Sequence, residues 1–277
     1  LRFVIFAPGA VEHALQPLRN HGITGLFGAA TPEGRAVRFG LRRILLPPKT
    51  FTCPPEIDDL TQRTCPSPIK ARHMESDAMG NMITLTAADT HHFAAYEAGN
   101  AKADIAIVVV QEIFGLTHHI KAVCDELAAH HGFHVIAPAL FDRVERDVVL
   151  GYDETGMKKG LELRAKIEPE DLIADVSACA HALKTHGHGK AGVLGFCWGG
   201  LVSWMAATRT HDFGAAVAWY GGGIAALSHE KPHCPVELHF GGEDTHIPHT
   251  DINTIRDNRP EVEIFLYDDA HHGFGCP

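Results

Sequence analysis

The chain has 277 residues, 45% of them hydrophobic and 21% charged, which is long enough for one large core or two small ones. No apolar run approaches the roughly 18 residues of a membrane-spanning helix, so we expect no membrane as a partner. The formal net charge of −10 disfavours nucleic acid as a partner, because phosphate binding needs clustered Lys and Arg.

The first 73 residues differ from the rest in charge and in proline content. They hold nine of the sixteen prolines, and ten Lys or Arg against five Asp or Glu, whereas residues 74–277 hold fourteen against twenty-nine. We predict that residues 1–73 are a Pro- and Arg-rich, poorly ordered extension; a small N-terminal domain is the alternative. A transit peptide is disfavoured because Ser67 is the only serine of this segment.

From residue 81 onward the hydrophobic pattern is regular. Two short segments around Asp89-Thr90 predict a hairpin, and a continuous β-branched run predicts a central strand buried on both faces. Helical spacing recurs between the later strands, and residues 138–171 are assigned only as a long insertion. The predicted strands are 82–85, 92–96, 105–111, 133–137, 191–196, 215–220, 236–240 and 262–267, and the helices are 120–128, 172–183, 201–207 and 251–258.

This alternation of strands and helices indicates parallel β-α-β units with right-handed crossovers. We therefore predict an α/β fold with a mostly parallel open sheet and helices on both faces, a three-layer αβα architecture. In such sheets ligands bind beyond the carboxyl ends of the strands. The motifs that carry chemistry all follow predicted strands.

The segment Gly195-Phe196-Cys197-Trp198-Gly199-Gly200 lies between a predicted strand and a predicted helix. A nucleophile elbow has this setting: a tight, strained turn with glycines two residues to either side of the nucleophile. The helix N-terminus would favour the Cys197 thiolate, and the Trp198 N–H would face a developing oxyanion. The alternative is that Cys197 is a small buried residue beside a glycine-rich turn.

Two further residues complete a triad pattern. Asp244 follows the predicted strand that ends at residue 240, although its neighbour Glu243 is a second candidate and a solvated turn carboxylate is the alternative for either. His272, beside His271, follows the last predicted strand. The chain order nucleophile, acid, histidine is the order of α/β-hydrolases.

These motifs resemble those of the dienelactone hydrolase (carboxymethylenebutenolidase) family, over roughly residues 80–277. The resemblance rests on residues 111–115 (Gln-Glu-Ile-Phe-Gly), 195–200, 241–244 and 267–274. It implies an α/β-hydrolase fold for a domain at 74–277, with Cys197 as nucleophile, Asp244 as acid and His272 as base. The chain stops at Pro277, where the family usually continues into a final helix, so we expect a domain truncated there.

The resemblance also implies two supporting roles. Glu112 resembles the family's buried glutamate, which contacts the resting thiol and helps to deprotonate it, and the amides of Ile113 and Trp198 resemble the two oxyanion donors. A carboxylate at the end of an apolar strand needs a polar partner, and burial there would raise its pKa; a solvated loop glutamate is the alternative. The family binds its substrate's carboxylate with arginines, for which we find only positional candidates: Arg143, Arg146 and Arg164.

Cysteines and histidines offer no further site. The seven cysteines are scattered and free of Cys-x-x-Cys pairs, so we expect no disulfide framework and favour a cytoplasmic location. The 21 histidines include four adjacent pairs, but neighbouring side chains point in different directions, so we expect neither a metal nor a cofactor.

The implied activity is cysteine-dependent, two-step hydrolysis of a lactone or small ester by a carboxymethylenebutenolidase-like monomer. A non-catalytic small-molecule-binding protein on the same fold is the alternative. A thiol redox protein is disfavoured because no resolving cysteine lies at motif spacing.

Overall fold

The computed structural model describes residues 80–276. The predicted extension, residues 1–73, lies outside these residues, so its order and role stay predictions.

Eight strands form one sheet in the order β1-β2-β4-β3-β5-β6-β7-β8. β1 and β2 form an antiparallel hairpin, β2 pairs antiparallel with β4, and all other neighbours are parallel. The strands are β1 (Asn81–Thr86), β2 (His92–Ala98), β3 (Ala106–Val110), β4 (His134–Pro138), β5 (Ala191–Phe196), β6 (Phe213–Trp219), β7 (Val236–Gly241) and β8 (Glu263–Tyr267).

The helices lie between the strands in the chain, as the sequence predicts. They are α1 (His118–His131), α2 (Glu154–Arg164), α3 (Pro169–Thr185), α4 (Trp198–Arg209), the short α5 (Ile224–Leu227) and α6 (His249–Asn258), with a 3-10 turn at Leu140–Arg143. Within residues 80–276, none of these helices has the length and apolar character needed to cross a membrane.

The centre of the sheet is covered on both faces. Every residue of β3, β4, β5 and β7 is buried, so that side chains on either side of each strand are shielded from water. Such strands read as continuous apolar runs, which is why β3 is recognisable in the sequence. The predicted mostly parallel α/β sheet is confirmed.

Helix α1 begins and ends at sequence signals of the usual kind. The Thr117 hydroxyl accepts a hydrogen bond from the Ile120 N–H at the first turn. Gly132, at φ 68°, ends the helix in the left-handed conformation that glycine adopts without a Cβ penalty. The helix predicted over 120–128 is therefore correctly placed and a few residues too short at each end.

Helix α2 was not predicted, because its inward face carries almost no apolar signal. The buried residues are Gly156, Gly160 and Leu163, so two of the three contribute no hydrophobic side chain. The helix is held instead by backbone approach: a Cβ at Gly160 would overlap the carbonyl oxygen of Ile113. Asp153 caps its first turn by accepting from the Gly156 N–H at 2.7 Å.

Candidate active site

Four loops at the carboxyl edge of the sheet carry the predicted site residues. Glu112 follows β3, Cys197 follows β5, Asp244 follows β7 and His272 follows β8. All neighbouring strands from β3 through β5, β6 and β7 to β8 pair in parallel, so these loops open toward the same end of the sheet. Residues far apart in the chain are thereby brought to one place.

The turn at Cys197 has the geometry of a nucleophile elbow. Cys197 has φ 53° and ψ −114°, a conformation that costs a non-glycine residue roughly 1–3 kcal/mol. The turn is closed tightly on both sides: a Cβ at Gly195 would overlap the Gly199 carbonyl, and a Cβ at Gly199 would overlap the Val110 carbonyl. Glycine is therefore required at positions 195 and 199, two residues to either side of Cys197.

Cys197, His272 and Asp244 form one chain of contacts. The Cys197 Sγ lies 3.3 Å from Nε2 of His272, and Nδ1 of His272 lies 2.7 Å from Oδ2 of Asp244. The Asp244 side chain is fully buried, and its Oδ1 accepts the N–H of His246 at 2.8 Å. With Nδ1–H donated to the carboxylate, Nε2 is free to accept the thiol proton.

The neighbouring candidates form a separate pair. His271 Nε2 lies 3.1 Å from Glu243 Oε2, and the two side chains are 74% and 55% exposed. The two sequence ambiguities are therefore resolved into two pairs. His272 and the buried Asp244 reach Cys197, whereas His271 and Glu243 form an exposed pair at the surface.

The ionisation of the Cys197 thiol differs from the sequence expectation. Burial, followed by the negative charge of Glu112, raises the pKa of Cys197 to about 12. The Trp198 N–H and the Arg164 charge act in the opposite direction and lower the pKa, but they do not outweigh burial. The start of α4 thus favours the thiolate in the expected direction, but burial outweighs it because desolvation penalises the charged form, so we expect a protonated resting thiol.

Glu112 is buried as expected but has different partners. Its Oε2 accepts the Tyr152 hydroxyl at 2.8 Å, and its Oε1 accepts the Cys276 thiol at 2.9 Å. The resemblance implied a contact with the Cys197 thiol; the structure places the Cys276 thiol on the carboxylate, while Cys197 faces His272. Burial raises the pKa of Glu112, and its hydrogen bonds with Cys276 and Tyr152 only partly offset that effect.

The two predicted oxyanion donors lie in the segments that follow β5 and β3. Trp198 opens α4, where the first N–H groups have no partner inside the helix, and its N–H acts on the Cys197 sulfur. Ile113 is buried in the loop after β3 and its carbonyl packs against Gly160 of α2. Helix α2 thus supports the backbone of the loop that carries Ile113.

The three candidate arginines occupy different environments. The Arg143 side chain is 9% exposed and its Nη2 donates to the buried Asp175 at 2.6 Å, so this arginine is structural. Arg146 is 59% exposed. Arg164, the half-buried last residue of α2, is the one of the three whose charge lowers the Cys197 pKa.

Three residues of the site were not predicted. Tyr152 reaches Glu112 from the insertion after β4, and the Tyr220 hydroxyl lies 3.3 Å from the Cys276 thiol. The Tyr220 ring stands edge-on to the His272 ring at 5.2 Å. Tyr220 has φ 39°, a strained conformation of the kind that accumulates at functional sites, but no sequence signal shows it. Cys276 follows the histidine motif and could have been noticed for that reason.

One group of potential metal donors lies in the site. Glu112, His119 and Cys276 each offer a ligand atom within 4.8 Å of the others. Because the Cys276 thiol donates its proton to Glu112, a metal would have to displace that proton. We assign Glu112 and Cys276 to the hydrogen-bond network of the site.

Comparison with known proteins places the chain in a family. The sequence pattern of the Dienelactone hydrolase family matches residues 93–277. A Salmonella typhimurium protein with the provisional name carboxymethylenebutenolidase is 33% identical over 74% of this chain and 81% of its own length. The Pseudomonas putida carboxymethylenebutenolidase is 26% identical over 69% of this chain and 84% of its own length.

Solved structures agree with the sequence comparisons. The crystal structure of a provisionally named dienelactone hydrolase from Klebsiella pneumoniae is similar at 29% identity and a TM-score of 0.58, covering 70% of this chain and 88% of that chain. The family resemblance, which the sequence suggested for roughly residues 80–277, is confirmed over residues 93–277, as is the predicted fold class. The chain therefore belongs to the dienelactone hydrolase family, a family of hydrolases with the α/β-hydrolase fold.

Proposed function

We propose that this chain is a cysteine-dependent hydrolase of lactones or small esters, and that its reaction is of the carboxymethylenebutenolidase type. The observation that carries the proposal is the contact of the Cys197 thiol, held in strained backbone geometry, with His272, whose far nitrogen is bound to the buried Asp244. A nucleophile, a base and an orienting acid in hydrogen-bond contact are what nucleophilic acyl transfer requires.

The first half-reaction forms a thioester. The thiol proton of Cys197 passes to His272 Nε2 as Sγ attacks the carbonyl carbon of the substrate. The carbonyl oxygen becomes an oxyanion, which the amides of Ile113 and Trp198 stabilise. His272 then gives the proton to the leaving alkoxide, the C–O bond breaks, and the acyl group stays on Cys197.

The second half-reaction releases the acid. His272 takes a proton from water, and the hydroxide attacks the thioester carbonyl between the same two amides. The C–S bond breaks, the carboxylic acid leaves, and His272 returns the proton to the Cys197 sulfur. No cofactor takes part in this sequence.

Glu112 is proposed to assist thiol ionisation. Its charge is the second cause, after burial, of the high Cys197 pKa, and its own pKa is raised by burial. A proton taken up by Glu112 removes this opposing charge, so Cys197 ionises more readily once Glu112 is neutral. Tyr152, hydrogen-bonded to Glu112 and 50% exposed, is the group of this network that an arriving substrate meets first.

Arg164 is the proposed partner for a substrate carboxylate. It is half-buried at the end of α2, and its charge reaches the thiol. An anionic lactone would neutralise this arginine on binding, whereas a neutral ester would not. A monomeric state, a cytoplasmic location and the exclusion of nucleic acid and membrane as partners stay predictions.

Turnover of an activated aryl ester tests the proposal. We expect a burst of one equivalent of phenol followed by steady hydrolysis, with mass spectrometry showing the acyl group on Cys197. Cys197→Ala should abolish both phases, whereas Cys234→Ala, at a half-buried cysteine of the segment before β7, should leave them unchanged. An inert protein that binds lactones would favour the non-catalytic alternative, and activity in Cys197→Ala would exclude this nucleophile.

A further inference from the structure

A cluster of three histidines and one carboxylate lies at the opposite edge of the sheet from Cys197. His134 Nε2 is 2.8 Å from Glu97 Oε1, and His134 Nδ1 is 3.0 Å from His188 Nε2. His186 Nδ1 is 3.9 Å from the same Glu97 oxygen. The proposed hydrolytic chemistry uses none of these four residues.

Topology explains why these residues meet. His134 is the first residue of β4, and Glu97 is near the end of β2, which runs antiparallel to β4. His186 caps the end of α3, and Gly187, at φ 95°, turns the chain so that His188 follows on the same side of the cluster. Three separate segments, β2, β4 and the loop after α3, therefore converge at the amino-terminal edge of the parallel strands.

We propose that this cluster is a Zn²⁺ site, with Glu97 Oε1, His134 Nε2 and His186 Nδ1 as ligands. The three ligand atoms lie within 4.8 Å of one another. Tetrahedral Zn²⁺ with bonds of about 2.0–2.2 Å holds its donor atoms about 3.4 Å apart. The distance from Glu97 Oε1 to His134 Nε2, 2.8 Å, must therefore increase by about 0.5 Å, and the distance from Glu97 Oε1 to His186 Nδ1, 3.9 Å, must decrease by about the same amount. Side-chain rotation can supply both changes.

His188 supplies the outer contact that zinc-bound histidines usually have. With Nε2 of His134 on the metal, Nδ1–H of His134 donates to His188 Nε2, which fixes the tautomer and the ring orientation.

The chemistry of the donors selects the class of metal. Two imidazoles and one carboxylate suit Zn²⁺ and similar transition metals, whereas Ca²⁺ and Mg²⁺ prefer sites built of oxygen atoms. The His134 side chain is 2% exposed and is held in place by its surroundings. That of His186 is 42% exposed, so an ion can enter from solvent on the His186 side. Three protein ligands leave the fourth position to water.

The expected consequence is structural, because the ion would join β2, β4 and the loop after α3. A ligand that binds only the folded state stabilises it by mass action. For a domain of this size, zinc at about 100 times its Kd should raise Tm by roughly 5 °C or more. The cluster takes no part in the proposed hydrolysis, so turnover of the metal-free protein should not depend on it. A failure of the zinc proposal can therefore be distinguished from a failure of the proposed hydrolase.

The test is titration of the chelator-stripped full chain with ZnCl₂, followed by calorimetry and thermal melting. We expect the parent chain to have a single zinc site with a Kd in the micromolar range or tighter. His186→Ala and Glu97→Gln should weaken that site by more than about 100-fold and remove the Tm rise, and His188→Ala should weaken it by roughly 10- to 100-fold. His181→Ala is the matched control, since His181 lies on the same helix, 3.1 Å from Asp212, in a pair without a third donor within the described residues.

Replacement of zinc by Co²⁺ identifies the ligands. Nitrogen and oxygen coordination should give d–d absorption without the near-ultraviolet charge-transfer band of a cobalt–thiolate bond. No micromolar binding, equal binding in the parent and in His186→Ala, or a thiolate band that disappears in Cys197→Ala would each overturn the proposal, the last by locating the ion at the nucleophile.

Discussion

The expected protonation of the resting Cys197 thiol can be tested by measuring its rate of alkylation. Burial and the Glu112 charge raise the pKa of Cys197 to about 12. At pH 8 the thiolate fraction is then about 10⁻⁴, against roughly a quarter for an unperturbed thiol of pKa about 8.5. Since one pKa unit changes this fraction tenfold, the deficit is more than a thousandfold.

A more basic thiolate is also a better nucleophile, which offsets part of this deficit. With a Brønsted coefficient of about 0.4–0.5, a pKa increase of about 3.5 units restores roughly 1.5 powers of ten. We therefore expect iodoacetamide to alkylate Cys197 roughly 50- to 100-fold more slowly than an exposed thiol at pH 8. The rate should rise about tenfold per pH unit up to pH 10 without a plateau.

The measurement is peptide mass spectrometry of each cysteine after timed alkylation between pH 6 and pH 10. Glu112→Gln removes the second cause of the high pKa, so Cys197 should be alkylated faster than in the parent chain. Cys234 is the internal control, because burial raises its pKa to about 11 without any contribution from Glu112. A plateau in the Cys197 rate with a midpoint near pH 7 would refute the reasoning, since it would show a resting thiolate–imidazolium pair.

Three further predictions follow from contacts of single side chains. His272→Ala should lower kcat by ~10³-fold or more and His271→Ala should have a mild effect; similar losses at both would contradict the assignment. Arg164→Gln should raise KM several-fold for a carboxylate-bearing lactone and leave KM for a neutral aryl ester unchanged; equal shifts for both would exclude its role. Burial and then the charge of Glu263 raise the pKa of Glu237 from 4.5 to about 8, so the folded state binds more protons and loses stability as pH rises between these values. Glu237→Gln should therefore match the parent at pH 4 and exceed its free energy of unfolding by about 2 kcal/mol or more above pH 8, measured by urea titration; an equal gain at both pH values would refute this cause.

The sheet was predictable because its central strands are buried on both faces. β5 has the bounds expected from the sequence, and β3 differs only at its ends. Helix α4 begins at Trp198, three residues before the predicted start, because Gly199 and Gly200 give no hydrophobic signal. Helix α2 was not predicted for the same reason, because its buried glycines pack its backbone directly against neighbouring backbone.

The candidate site was predictable where its residues follow strands and not where they depend on packing. Cys197, Asp244 and His272 stand in a recognisable order, and the structure brings them into contact. The partner of Glu112 could not be predicted, because Cys276 lies 164 residues away in the chain. The effect of the helix N-terminus on the Cys197 thiol could be predicted, whereas the burial that outweighs it is not visible in a sequence.

The metal donors at the other edge were missed for a different reason. The motif His186-Gly187-His188 is present in the sequence, and a glycine between two histidines allows both rings to turn toward one side. From the sequence, only the adjacent histidine pairs were considered as metal ligands. Glu97 on β2 and the buried His134 on β4 come together only through the antiparallel pairing of those strands, which the sequence does not specify.

The long chain separations within the active site affect how the protein acquires activity. The contact between Cys197 and His272 spans 75 residues, and the contact between Glu112 and Cys276 spans 164. Contacts of this span form late in folding, because a large loop must close before they gain stability. A partly assembled sheet therefore lacks the contacts of the proposed triad, even where its helices have already formed. During refolding, hydrolysis should therefore return only when β8, the edge strand that precedes His272, has joined the sheet. We expect this recovery to lag behind that of the far-ultraviolet circular dichroism signal, which reports secondary structure.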